Sequence, residues 1–149
     1  VIAPFRMFSH LITVEQQLNA LQRIHDHLLD GGVFIFDLFV PNLQMLLEGL
    51  KDHVDFDGEY APGKKLRRIT SARADLINQI NRVTMRYEWD EGDTMQVHEW
   101  QFNMRYFFRW EIEHLIARSP LMLQTVYGDY EENPLSNDSN DFVVMCRKP

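Results

Sequence analysis

The sequence is poor in several things, and each shortage excludes something. A single cysteine, Cys146, among 149 residues excludes an intrachain disulfide and points to a reducing compartment, the cytoplasm, as the setting. Basic residues are outnumbered, 15 Lys and Arg against 22 Asp and Glu, giving a formal net charge of -7. That balance argues against nucleic acid as a partner, because phosphates are held by basic patches. No apolar run approaches the roughly 20 residues needed to span a bilayer, so no membrane partner is expected. The longest such run, Val33 to Val40, is strand-sized and is interrupted by Asp37. The histidines lack metal-ligand spacing. His25 and His27 lie two apart on a helical stretch and do not share a face, and His53, His98 and His114 have no partner spacing, so no metal site is expected. Glycine is scarce too, and Gly31-Gly32 follows a helix and precedes a strand, the reverse of a phosphate or dinucleotide turn.

What is present is enough to fold. Hydrophobic residues make up 45% of the chain, which supports a real core in a chain of one-domain length. The first residue is Val1 rather than Met, so the expectation is a piece of something longer.

Val1 to Phe5 is short and apolar and reads as a buried strand that Pro4 ends. From Thr13 the period changes. Val14, Leu18, Leu21, Ile24, Leu28 and Leu29 fall on one helical face, and Thr13 with Gln16 has capping-box spacing. Asp30-Gly31-Gly32 is the expected helix end. Val33 to Val40 follows as a continuous apolar run, the habit of a strand covered on both faces. Strand, helix and strand in this order make a βαβ unit. A short helix, Leu43 to Leu50, comes next.

The middle reads differently. Lys51 to Lys65 is rich in Asp and Gly and reads as a loop, and a strand is expected over Leu66 to Ala74. Val83, Met85, Tyr87 and Trp89 alternate with polar residues, as do Trp100, Phe102, Met104 and Tyr106. With Asp90-Glu91-Gly92-Asp93 between them, they predict a β-hairpin whose aromatic face is either core or a substrate roof, core being the commoner use of period two. Arg109 to Ser119 returns to helical spacing, and Leu121 to Tyr127 and Phe142 to Cys146 read as two closing strands.

Three stretches carry a family resemblance. Ala3-Pro4-Phe5-Arg6-Met7-Phe8-Ser9-His10-Leu11 with Thr13 to Gln17 resembles the fourth strand and following helix of class I S-adenosylmethionine-dependent methyltransferases. His27 to Asp37 resembles the Gly-Gly run into their fifth strand. Trp110 to Ile116, Tyr127 to Tyr130 and Phe142 to Met145 resemble their last helix and closing strand pair. The implied fold is α/β, the C-terminal part of a Rossmann-like methyltransferase sheet with an inserted antiparallel β block. Its segments would be residues 1–50 (α/β unit), 51–108 (insertion roofing the substrate) and 109–149 (last helix and closing hairpin). The family's glycine-rich cofactor turn does not occur here, so the resemblance implies that the N-terminal cofactor-binding half lies outside this chain.

Ligands of open α/β sheets bind beyond the carboxyl ends of the parallel strands. The resemblance therefore implies S-adenosylmethionine against Ala3, Phe5 and Arg6. It implies a small-molecule methyl acceptor near Met7, Phe8, Phe39, Tyr106 and Tyr127. Phe5 and Phe8 have an equal claim to packing under the helix. His10 is the candidate general base, with a local hydrogen-bonding role as the commoner use of such a histidine. Asp37 either lines the pocket or holds a structural hydrogen bond, the second being favoured. Cys146 is expected to be inert. Two further readings stand beside methyl transfer. One is a non-catalytic module that forms a homodimer through the open Val1-side sheet edge, and the other is a domain that holds an apolar ligand under the hairpin.

Overall fold

The computed structural model describes residues 1–92 and 94–149. Along the chain lie β1 (Ile2–Ala3), a 3-10 turn (Met7–His10), α1 (Val14–His27), β2 (Val33–Phe39), α2 (Leu43–Glu48), β3 (Leu50–Ala61), β4 (Lys64–Asp75), β5 (Ile80–Glu91), β6 (Thr94–Arg105), α3 (Arg109–Ala117), β7 (Met122–Tyr127) and β8 (Asp141–Arg147). They form two compact units, Val1–Pro41 with Arg105–Pro149, and Asn42–Met104.

The first unit is built on a four-stranded sheet in the order β1-β2-β8-β7. β1 runs parallel to β2, with Ile2 opposite Ile35, as the βαβ reading expects. β8 is antiparallel to both β2 and β7. It follows that β7 runs the same way as β1 and β2, so the carboxyl ends of all three gather at one end of the sheet.

α1 begins where its sequence signals it. The Thr13 hydroxyl accepts from the Gln16 backbone N–H at 3.2 Å, and the Gln16 side-chain oxygen accepts from the Thr13 N–H at 3.1 Å. Such a cap stabilises a helix by about 1 kcal/mol. The helix stops at His27, short of the expected Asp30. The reason lies in the two glycines. Gly31 N–H donates to the Lys148 carbonyl, and Lys148 N–H donates to Gly32, so the chain is drawn into backbone pairing with the end of β8. Leu28 stays buried, while Leu29, expected on the same face, is 85% exposed.

Phe34, Phe36 and Leu38 of β2 pack with Val144 and Cys146 of β8, Leu21 of α1, and Ile112 and Ile116 of α3 in one core cluster. The Phe34 and Phe36 rings stack at 5.0 Å.

The second unit is a sheet in the order β3-β4-β5-β6, with β4 antiparallel to β3 and to β5. Lys51 to Lys65, read as a loop, instead supplies β3 and the turn into β4. Three register shifts interrupt the pairing of β3 with β4, and they erase the period-two signal. Backbone pairing with β4 holds this edge strand, and cross-strand charges add to it. Asp55 meets Arg68 at 2.7 Å, and Asp57 meets Arg67 at 3.7 Å. Trp100 corrects a second expectation. Core was the favoured reading, yet Trp100 is 49% exposed and stacks on Phe102 at 4.4 Å. Of the turn expected between β5 and β6, Asp93 lies outside the described residues.

Candidate functional site

Directly after β1, Phe5 and Arg6 both have φ near +58°. Two successive non-glycine residues in the left-handed region are costly, at roughly 1–2 kcal/mol each. The compensation comes from Asp37, near the carboxyl end of β2 and 2% exposed. Both of its oxygens accept from the Arg6 backbone N–H at 3.3 Å, and Arg6 Nε lies 3.3 Å from Oδ2. The Tyr130 hydroxyl donates to Oδ2 at 2.8 Å. Arg6 also pairs through Nη2 with Asp141, the first residue of β8, and its guanidinium sits 4.3 Å over the Phe39 ring. The carboxylate that interrupts the apolar strand is thus fully engaged, as a buried charge must be.

Tyr130 keeps most of its ring in solvent while its hydroxyl is drawn against Asp37. Desolvation there, with the bond to Asp37 and its negative charge, pushes the phenol up to about 12. Cys146 is wholly buried, and burial alone pushes its thiol up to about 12, which makes it a poor nucleophile.

The structure gathers Ala3, Phe5, Arg6, Met7, Phe39 and Tyr127 at the sheet end where β1, β2 and β7 finish. Phe5 is 81% exposed, and Met7, Phe39 and His10 are also exposed there. Two residues expected beside the substrate are instead buried. Phe8 packs on Phe36 at 4.7 Å and on Phe107 at 6.1 Å, which is the packing role weighed for it. Tyr106 is 7% exposed and meets Phe108 edge-on at 6.0 Å. Apolar rings on the inner side of a turn or strand end are taken up by the core before a ligand can use them. Arg6 is also redirected, since both its guanidinium and its backbone N–H point to Asp37.

The sequence does not mark Tyr130 and Asp141 as partners of this site. Tyr130 is 93 residues from Asp37, and no local spacing links them. Among the described residues, no group of three His, Cys, Asp or Glu is placed to hold a metal ion, and no helix is long and apolar enough to cross a membrane.

No protein-family model matches the chain, and no curated protein matches it by sequence. Solved structures do match. An S-adenosylmethionine-dependent methyltransferase from Clostridium acetobutylicum matches with a TM-score of 0.82 at 14% identity, covering 99% of this chain and 56% of its own. The CcbJ methyltransferase of Streptomyces caelestis matches with a TM-score of 0.75 at 18% identity, covering 100% of this chain and 60% of its own. An amino pentose methyltransferase from Micromonospora echinaspora, solved with S-adenosylmethionine bound, matches with a TM-score of 0.67 at 16% identity, covering 99% of this chain and 58% of its own. The chain therefore has the α/β fold of part of an S-adenosylmethionine-dependent methyltransferase, spanning 56–60% of the length of the three it matches here.

Proposed function

We propose that the gene product carrying this chain transfers a methyl group from S-adenosylmethionine to a small molecule. The observation that supports this most is the match of almost the entire chain to little more than half of several methyltransferases. On this reading the chain supplies one side of the cofactor site, and the glycine-rich turn lies in sequence outside it. The chain alone is then inactive.

The residues at the carboxyl ends of β1 and β2 fit that role in part. Phe5 offers an open ring, and Ala3 ends an edge strand. The Arg6 side chain is committed to Asp37 and Asp141 and its backbone N–H to Asp37, which leaves the Phe5 ring as the open group of the turn. When bound, the cofactor supplies a methyl group on a sulfonium sulfur, and an acceptor lone pair displaces the thioether. Such a displacement depends largely on alignment, in keeping with a site that holds no strong nucleophile. Met7, Phe39 and Tyr127 offer an apolar wall for the acceptor, and exposed His10 is the candidate to take its proton. The net charge of -7 favours a small molecule over a nucleic acid as acceptor.

Calorimetric titration with S-adenosylmethionine tests the reading. Clear binding to the complete gene product and little or none to this chain is the expected result. Absence of binding by the complete product overturns it.

A second reading has its own observation. In the Asn42–Met104 unit, Tyr60, Leu66, Tyr87, Trp89 and His98 line a recess of about 450 Å³, a size that suits a small ligand. A ligand-binding module would use that recess and need no cofactor. Self-association is a separate reading, supported by β1 ending its sheet among the described residues and by Ile2 being 72% exposed. A concentration-independent monomer in sedimentation would rule out the homodimer.

A further inference from the structure

We propose that Asp37 is a positioning residue, which holds the Phe5–Arg6 turn in its left-handed conformation so that the Phe5 ring is presented to the ligand at the carboxyl end of β1. The ligand half of this inference rests on the methyltransferase reading, while the turn half stands on geometry alone.

Residue type and backbone are mismatched at this turn. A left-handed turn with no ligand duty is cheapest with glycine, which takes φ near +60° freely. This chain places phenylalanine and arginine there instead, both with φ near +58°. Phe5 gains nothing by packing, being 81% exposed. Strain of this kind persists only where the surroundings over-determine it, and it gathers at functional sites.

The over-determination can be named. One buried carboxylate takes the Arg6 backbone N–H on both oxygens, and Arg6 Nε lies 3.3 Å from Oδ2 in an ion pair. The same oxygen takes the Tyr130 hydroxyl, and Asp141 secures the far end of the guanidinium. Backbone and side chain of one residue are therefore tied to a single group on the neighbouring strand. Arg6 in turn caps the 3-10 turn, its carbonyl accepting from Ser9 N–H at 2.9 Å. The clamp thus fixes the direction in which the chain leaves β1. With Arg6 turned inward on Asp37, Phe5 is left as the open ring of the turn.

Amide hydrogen exchange on this chain tests the clamp without any ligand. Asp37→Ala is expected to speed exchange at Arg6 at least tenfold, and Asp37→Asn about threefold, with Val144 in the sheet changed by less than twofold. Unchanged exchange at Arg6 in a folded Asp37→Ala variant overturns the proposal. Should that variant fail to fold, Tyr130→Phe removes one bond to the carboxylate at a largely exposed residue. It is expected to speed Arg6 exchange about twofold, and no change there is equally fatal.

The presentation role is read in the complete gene product. Asp37→Ala is expected to weaken S-adenosylmethionine binding at least tenfold, with kcat at saturation kept within threefold. Phe5→Gly is expected to weaken binding similarly with no fall in Tm. Looser exchange with unchanged affinity would make Asp37 structural only and overturn the positioning role. Failure of the unaltered complete product to bind at all would strike the methyltransferase reading, and exchange at Arg6 would still decide the clamp.

Discussion

Phe34, Phe36, Ile112 and Ile116 are sealed from solvent in the unit that carries β1, β2, β7 and β8, whereas in the Asn42–Met104 unit Met95, Val97 and Trp100 are exposed. The first sheet is covered by helices and closes a core. Among the described residues of the second, the buried ones are Leu46 on the short helix α2 and Ile69, Thr70 and Val83 on strands of 12 residues each. The two units draw on similar apolar residue types and differ in what those residues are for. Strand pairing and cross-strand charges hold the second sheet, which leaves much of its aromatic surface available.

That contrast can be broken most forcefully by truncation. Phe34→Ala should cost about 3–5 kcal/mol of stability, since it opens a cavity in a closed core. Trp100→Ala should cost about 1 kcal/mol or less, its ring being stacked but half exposed. Chemical denaturation of both variants checks this, and equal costs would erase the distinction. Next in size is Gly32→Ala. A Cβ there would lie 2.7 Å from the Leu29 carbonyl, a crowding expected to cost roughly 1–3 kcal/mol, seen as a lower Tm.

The smallest effect sharpens the role of charge in the second sheet. Partial desolvation opposes ionisation of Asp55, but hydrogen bonds from Arg68 and Thr70 outweigh it and hold its carboxyl below 3.8. A carboxyl depressed on folding stabilises the native state above its unfolded value, and that contribution fades as pH falls through the folded value. The Asn42–Met104 unit should therefore loosen below about pH 4, and Asp55→Asn should flatten that dependence. Urea midpoints measured between pH 2 and 5 would show it.

How much could be read from the sequence follows from how local each signal is. The α1 cap is written in residues three apart, Thr13 and Gln16, and β2 in an unbroken apolar run. β3 was hidden because its register shifts and acidic residues disguise a strand whose stability comes from β4. In the candidate site, Asp37 was conspicuous as a charge inside an apolar strand. Its partners were not, because Tyr130 and Asp141 reach the site only through the closing strands. Phe8 and Phe5 look alike in sequence, and the left-handed Phe5–Arg6 turn leading into the 3-10 turn leaves Phe5 exposed and Phe8 buried.

The lone cysteine, introduced as a shortage, provides a measuring device. Cys146 sits on the strand pinned between β2 and β7, and no other thiol in the chain competes with it. A thiol reagent can modify it only when those strands part, so labelling proceeds at the frequency of that opening. Chemistry on one sulfur atom thus times the breathing of the first sheet and is silent about the second.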